Sequence, residues 1–297
     1  MYSGNLTDVY GITAAHCTDE AARTGCTVVL AKEGAIGSVD VRGGGPGTRE
    51  TDAFSPINLV QQVHGVALSG GSAFGLATAD GVMQYLDEQN IGFDTGVAKV
   101  PIVGGAVLFD LAYSEPGKRP TAKMGYQAAK SADKTPLVQG SYGAGAGATV
   151  AKMLPGLAPK KSGFGTASMK VGKATIAAGF AVNALGNIYD YATGQLICGY
   201  TLDEQTKAMK QMWKAQNTTI GVIATDAVLT KTQAHRLAML AHDGYAMAIR
   251  PVHTMHDGDT AFAMATGHVE ENVDLLFAFA AEVTARAIAN AVWAANA

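Results

Sequence analysis

Residues 217–227 read NTTIGVIATDA: an asparagine, two threonines and then a largely β-branched run. The run follows a charged, weakly amphipathic stretch, DEQTKAMKQMWKAQN (203–217), and reads as a strand that opens on hydroxyl side chains. Downstream, Thr230-Lys-Thr-Gln233 is a capping box at the head of a helix predicted over 230–249. DTAFAMATG (259–267) alternates as a strand, and 271–295 is a long apolar helix. The order strand, helix, strand, helix closes a compact α/β unit.

Upstream, SGFGTASMKV (162–171) and ATIAAGFAVNALG (174–186) read as two strands joined at Gly172-Lys173. Small residues at alternate positions suggest sheets packed against a further layer. The segment GAGAGATVAK (143–152) fails as a phosphate loop, because Lys152 precedes methionine and the glycine spacing is not that of a dinucleotide fingerprint. It reads as close-packed backbone at a strand–helix junction. KVPIVGGAVLFDL (99–111) is a buried strand, and 115–140 is a polar surface excursion with a short helix. Residues 26–42 form two β-branched stretches split by a glycine-containing turn, a hairpin or a pair of neighbouring strands. After GTRETD (47–52), the spacing of Leu59, Val63 and Val66 predicts a helix. Ser72 within LSGGSAFGL (68–76) is placed to cap a second helix running to about Glu88, anchored by Phe74, Leu76, Val82, Met83 and Leu86. Arg49, Glu50 and Asp52 read as a structural network around a glycine turn.

The composition excludes several classes of function. With 297 residues, 48% hydrophobic and 16% charged, the chain can bury one large core as a single domain, 1–297. A formal net charge of −3 and the lack of clustered Lys and Arg leave no footprint for nucleic acid or an anionic membrane. No repeat of 20 to 50 residues is visible. The N-terminal residues carry neither a basic region nor an unbroken apolar one, and no apolar run of about 18 residues follows, so a soluble cytoplasmic protein is expected. Three cysteines, Cys17, Cys26 and Cys198, suggest reduced thiols rather than a disulfide framework or a zinc site.

The densest polar constellation is His253-Thr-Met-His256-Asp257-Gly-Asp259. Pro251 and Gly258 argue for a loop, which lacks the helical spacing of a metal site. The remaining readings are a solvated Asp-Gly turn at a strand entrance, or paired carboxylates that would share a face if the strand has begun. As for 217–227, a threonine hydroxyl becomes a good nucleophile when its own α-amino group is freed, since an amine of pKa near 8 can take the hydroxyl proton at neutral pH. That requires cleavage between Asn217 and Thr218.

GTRETD, LSGGSAFGL, VPIVGGAVLFDL, GAGAGATVAK, VNALG, NTTIGVIATDA and HDGDTAFA, in that order along the whole chain, resemble the L-aminopeptidase D-amidase/D-esterase family. This family includes the endo-type 6-aminohexanoate (nylon) oligomer hydrolases. The resemblance implies an α/β fold of the α+β type, a four-layer αββα sandwich of the N-terminal nucleophile hydrolases. It also implies a precursor that cuts itself, here into 1–217 and 218–297, and homotetramers of cut protomers.

Position by position, the resemblance puts the nucleophile on Thr218 and the cleavage site at Asn217–Thr218. It puts the catalytic lysine on Lys152, to stabilise the alkoxide and assist proton transfer, and the oxyanion-donating asparagine on Asn183. The acidic pair falls on Asp257 and Asp259, to position Thr218 or hold the amine's proton. Phe109 stands at a substrate-binding position where nylon hydrolases carry tyrosine. The activity implied is hydrolysis of small peptides, amides or esters through an acyl-enzyme on Thr218, with neither cofactor nor metal. A nylon-oligomer hydrolase, an acyltransferase of the ornithine acetyltransferase type and an inactive binding homologue are the alternatives. Replacing His253 is expected to matter much less than replacing either aspartate.

Overall fold

Alternation along the strands decides how the layers stack. The computed structural model describes residues 1–153, 156–201 and 217–297, and the charged stretch 203–216 lies outside the described residues. The main sheet contains β1 (Thr13–Asp19), β2 (Thr24–Val41), β3 (Thr48–Arg49), β4 (Gln62–Ser69), β5 (Val103–Val107), β6 (Phe164–Val171), β7 (Ala174–Asn183), β8 (Thr218–Ala227) and β9 (Thr260–Val269). Their order is β6-β7-β8-β9-β2-β4-β5-β3, with β1 beside β2. The β8–β9 and β4–β5 pairs are parallel, and the other pairs are antiparallel.

Side chains at every second position share a face. Ile220, Val222 and Ala224 of β8, Phe262 and Met264 of β9, and Ala177 and Ala181 of β7 enter one buried cluster with Val29, Val66, Leu68 and Ala106 from the other half of the sheet. The sheet therefore folds over and packs on itself. On one outer face Ile176, Ala178, Ile223, Ala261 and Ala263 are covered by helices Lys231–Ala248 and Ala280–Ala295. On the other, Val28, Leu30 and Ala67 are covered by helices Thr78–Glu88 and Ala122–Ser131. Three apolar interfaces make four layers, helix, sheet, sheet and helix, as the resemblance implies. Fully burying a side chain such as Phe262 contributes about 1.5–3 kcal/mol.

Several local expectations change in this context. Residues 24–41 form one continuous strand of 18 residues instead of a hairpin. Its first part pairs with β4 and its last part with β9, so the chain has partners at both ends and runs on. The glycine of the expected turn, Gly34, sits at φ +84° beside an irregularity in the β2–β4 register, where glycine is the residue of choice. Val63 and Val66 lie on strand β4, not on a helix; the only helical turn there is Thr51–Phe54, and Leu59 is exposed. A strand buried on both faces is apolar throughout and can mimic helical spacing over a few residues. Ser72 gives no side-chain cap, and Phe74 is exposed beneath the Arg119 guanidinium.

The long C-terminal helix divides at Phe279 into Val273–Ala278 and Ala280–Ala295. Together these are long and apolar enough to cross a membrane, but 61% of the most apolar window is buried within the fold. Its apolar face is taken by β6, β7 and the neighbouring helix.

Candidate active site

Thr218 is the first residue of β8 and pairs across the antiparallel ladder with Asn183, the last residue of β7. Alternation puts both on the face that carries Ile220 and Ala181, at one end of the layer between the sheets. Both are buried. The Thr218 hydroxyl makes a close hydrogen bond to the carbonyl oxygen of Asn217. The Gly258 N–H donates to that same carbonyl at 3.0 Å and lies 3.2 Å from Thr218 Oγ1. Asn217 forms a one-residue parallel bridge with Asp257, and its N–H donates to the His256 carbonyl at 3.0 Å.

Lys152 follows the short strand Thr149–Val150 through Ala151, whose φ is +59°. Its Nζ donates to Asn183 Oδ1 at 2.8 Å and to the Asn183 carbonyl at 3.0 Å. Burial pushes the ammonium down to about 7, against the opposing pull of Asp257 and Asp110. At neutral pH a substantial fraction of Lys152 is therefore the neutral amine. Asn183 ties three segments together. Its Oδ1 also accepts the Thr149 N–H at 3.0 Å, and its Nδ2 donates to the Phe109 carbonyl at 3.0 Å.

The two carboxylates accept from different groups. Asp257 Oδ2 accepts from the Thr254 amide at 2.8 Å and the Thr254 hydroxyl at 2.6 Å, which ties the loop. Burial, and then the charge of Asp259, raise its pKa. Asp259 instead accepts the Thr219 N–H through Oδ1 at 2.7 Å. Its Oδ2 accepts from the His253 backbone N–H at 3.1 Å and lies 2.8 Å from His253 Nδ1. The strand begins only at Thr260, and before it the two carboxylates take separate partners, the Thr254 amide and hydroxyl for Asp257 and the Thr219 amide and His253 for Asp259.

A cavity of about 200 Å³ opens beside Thr218, lined among others by Gly45, Pro46, Phe109, Met255 and His256. Of the expected site residues, the structure thus gathers Thr218, Asn217, Asn183, Lys152, Asp259 and Phe109 around this end of the sandwich. Asp257 holds the loop that flanks them. Arg49 lies apart, in an ion pair with Asp80. Among the described residues no group of three or more His, Cys, Asp or Glu side chains lies close enough to hold a metal ion.

Three further groups at the site lie outside the expected site residues. Gly258 acts through a backbone amide. His253, at φ +58°, grips Asp259 with both its backbone and its ring. Tyr245 donates its hydroxyl toward the Thr219 carbonyl at 3.3 Å and the Thr260 carbonyl at 3.0 Å, at the back of the nucleophile strand. Only the histidine-aspartate spacing at 253 and 259 was visible beforehand, and it reads equally as a solvated turn.

The four-layer arrangement is the fold of the N-terminal nucleophile hydrolases. The L-aminopeptidase D-Ala-esterase/amidase of Ochrobactrum anthropi, a variant of that fold, superposes with a TM-score of 0.73 over 98% of this chain and 86% of its own, at 18% identity. The model of peptidase family S58 matches residues 4–297, and the chain belongs to that family of hydrolases. An uncharacterized aminopeptidase of Mycobacterium leprae is 44% identical over 295 residues, covering 90% of this chain and 79% of the relative. A 6-aminohexanoate-oligomer endohydrolase of a Kocuria species is 29% identical over 276 residues, covering 89% of this chain and 75% of the relative.

Proposed function

We propose that the chain cuts itself between Asn217 and Thr218 and then hydrolyses small peptides, amides or esters from their N-terminal side through an acyl-enzyme on Thr218. The observation that carries this reading is the Thr218 hydroxyl set against the Asn217 carbonyl, which the Gly258 N–H already polarises. In the first step the hydroxyl oxygen attacks the Asn217 carbonyl carbon, and neutral Lys152 assists removal of its proton. The C–N bond breaks, the Thr218 nitrogen gains a proton, and an ester links residue 217 to Oγ1. Water hydrolyses that ester, leaving Thr218 with a free α-amine. The amine then serves as base for substrate amides, whose leaving nitrogen receives the proton. Asp259 holds the Thr219 amide and so sets the strand that presents Thr218.

The mature form is read as a homotetramer of cut protomers working in the cytoplasm, in keeping with three unpaired cysteines. Nylon-oligomer hydrolysis is a second reading, favoured by the Kocuria relative and opposed by Phe109, which lacks the hydroxyl of tyrosine. Intact mass and N-terminal sequencing of purified protein test the proposal. Two associated pieces, the smaller beginning at Thr218, are expected, and Thr218→Ala should give one uncut, inactive chain. A wild-type chain that stays full length for days at neutral pH would overturn it.

A further inference from the structure

Asn217 is held in the uncut chain as if it were a bound substrate residue. Its N–H donates to the His256 carbonyl at 3.0 Å, and its carbonyl accepts the Gly258 N–H at 3.0 Å. The two bonds belong to one parallel bridge opposite Asp257. Built on the Thr218 reading above, the chemistry of self-cleavage makes this contact pair informative. The ester formed when Thr218 Oγ1 attacks Asn217 is the same species as the acyl-enzyme formed from a substrate amide, with the substrate's acyl residue in place of residue 217. In both cases the Oγ1–acyl bond forms, the acyl–nitrogen bond breaks, the departing nitrogen takes a proton, and water later returns the hydroxyl.

We infer that the backbone of His256–Gly258 is the seat of the substrate's acyl residue, and that it selects α-aminoacyl groups. The Gly258 amide serves as an oxyanion donor in both reactions, since it lies within reach of the Asn217 carbonyl and of Oγ1 together. The His256 carbonyl requires an N–H on the carbon next to the reacting carbonyl. An α-aminoacyl group satisfies both contacts, whereas a 6-aminohexanoyl group carries its nitrogen five carbons from the carbonyl and leaves the His256 carbonyl without its donor. A backbone carbonyl accepts from an ammonium or from an amide N–H, so a free and an acylated amino end both fit. The neighbouring cavity of about 200 Å³ is lined, among the described residues, by Pro46, Val107, Phe109 and Met255 with others and by no carboxylate, and it suits a neutral side chain of modest size.

The test uses wild-type protein whose intact mass shows the cut at 217/218, and compares kcat/KM on matched p-nitroanilides. N-acetylalanyl and N-acetyl-N-methylalanyl differ only in the N–H; alanyl and propionyl differ in having the nitrogen at all, which separates a missing donor from a crowding methyl. Loss of one hydrogen bond should lower kcat/KM about tenfold in each pair, and 6-aminohexanoyl p-nitroanilide should fall with the donor-free substrates. A difference under threefold in either pair, or a 6-aminohexanoyl substrate that matches alanyl, would overturn the subsite. An uncut chain, or turnover that survives Thr218→Ala, would instead sink the Thr218 reading on which it rests.

Discussion

Replacing Lys152 by methionine should change how stability responds to pH, and the structure gives the size of the change. Burial moves the ammonium from an ordinary 10.5 to about 7 in the folded chain. Below pH 7 the folded and unfolded chains both hold the proton, and the fold carries a poorly solvated charge. Above pH 7 the folded chain releases it while the unfolded chain keeps it until near 10.5, so stability rises with pH at about 1.36 kcal/mol per unit. Lys152 is thus least favourable to the fold at acid pH, and that penalty disappears progressively as pH rises through 7 toward 10.5. Between pH 7, where the folded-state group is half titrated, and pH 9 the contribution amounts to about 2 kcal/mol. Methionine cannot titrate, so the variant lacks this component. Both chains should carry Thr218→Ala, which keeps them uncut and makes the comparison one of like molecules. Urea unfolding at pH 6, 7, 8 and 9 then reads the difference directly. The gap between methionine and lysine chains should move by about 2–3 kcal/mol in favour of lysine as pH rises from 7 to 9. Parallel pH profiles would show that Lys152 keeps its usual basicity, and would remove it as a proton acceptor at neutral pH.

Gly258→Ala should block self-cleavage, because a Cβ there would lie 2.7 Å from Thr218 Oγ1 and 2.9 Å from the Gly45 carbonyl; denaturing gels showing normal cutting would refute this. Thr219→Ala should still process, since only the backbone N–H and carbonyl of Thr219 engage Asp259 and Tyr245, and mass spectrometry of the small fragment checks it. Asp259→Ala removes the acceptor of the Thr219 N–H and should slow both maturation and turnover, by on the order of tenfold or more; His253→Gln should give a smaller loss of the same kind, and wild-type rates in both would discard the strand-setting role. Activity should survive exhaustive treatment with chelators, and loss that one added metal restores would overturn the metal-free mechanism.

Much of this protein was legible in the sequence where the signal is local. The turn at Gly172-Lys173, the capping box at Thr230 and the alternation of β8 and β9 depend on neighbours a few residues away, and the structure contains each of them. The order of short motifs likewise pointed to Thr218, Lys152 and Asn183. Other features depend on groups far apart in the chain. Whether 24–41 turns back or runs on depends on which strands offer it partners, and 62–69 becomes a strand because β2 and β5 flank it. The Gly258 amide reaches Thr218 across 40 residues, and its donor is backbone, which every residue but proline possesses and no motif can mark. The depressed basicity of Lys152 arises from the burial that the assembled sandwich imposes. Residue types and their local spacing determined which groups were available for chemistry. Only the folding of one sheet onto itself decided which of them meet, because hydrogen bonds and desolvation act over a few ångströms whatever the separation along the chain.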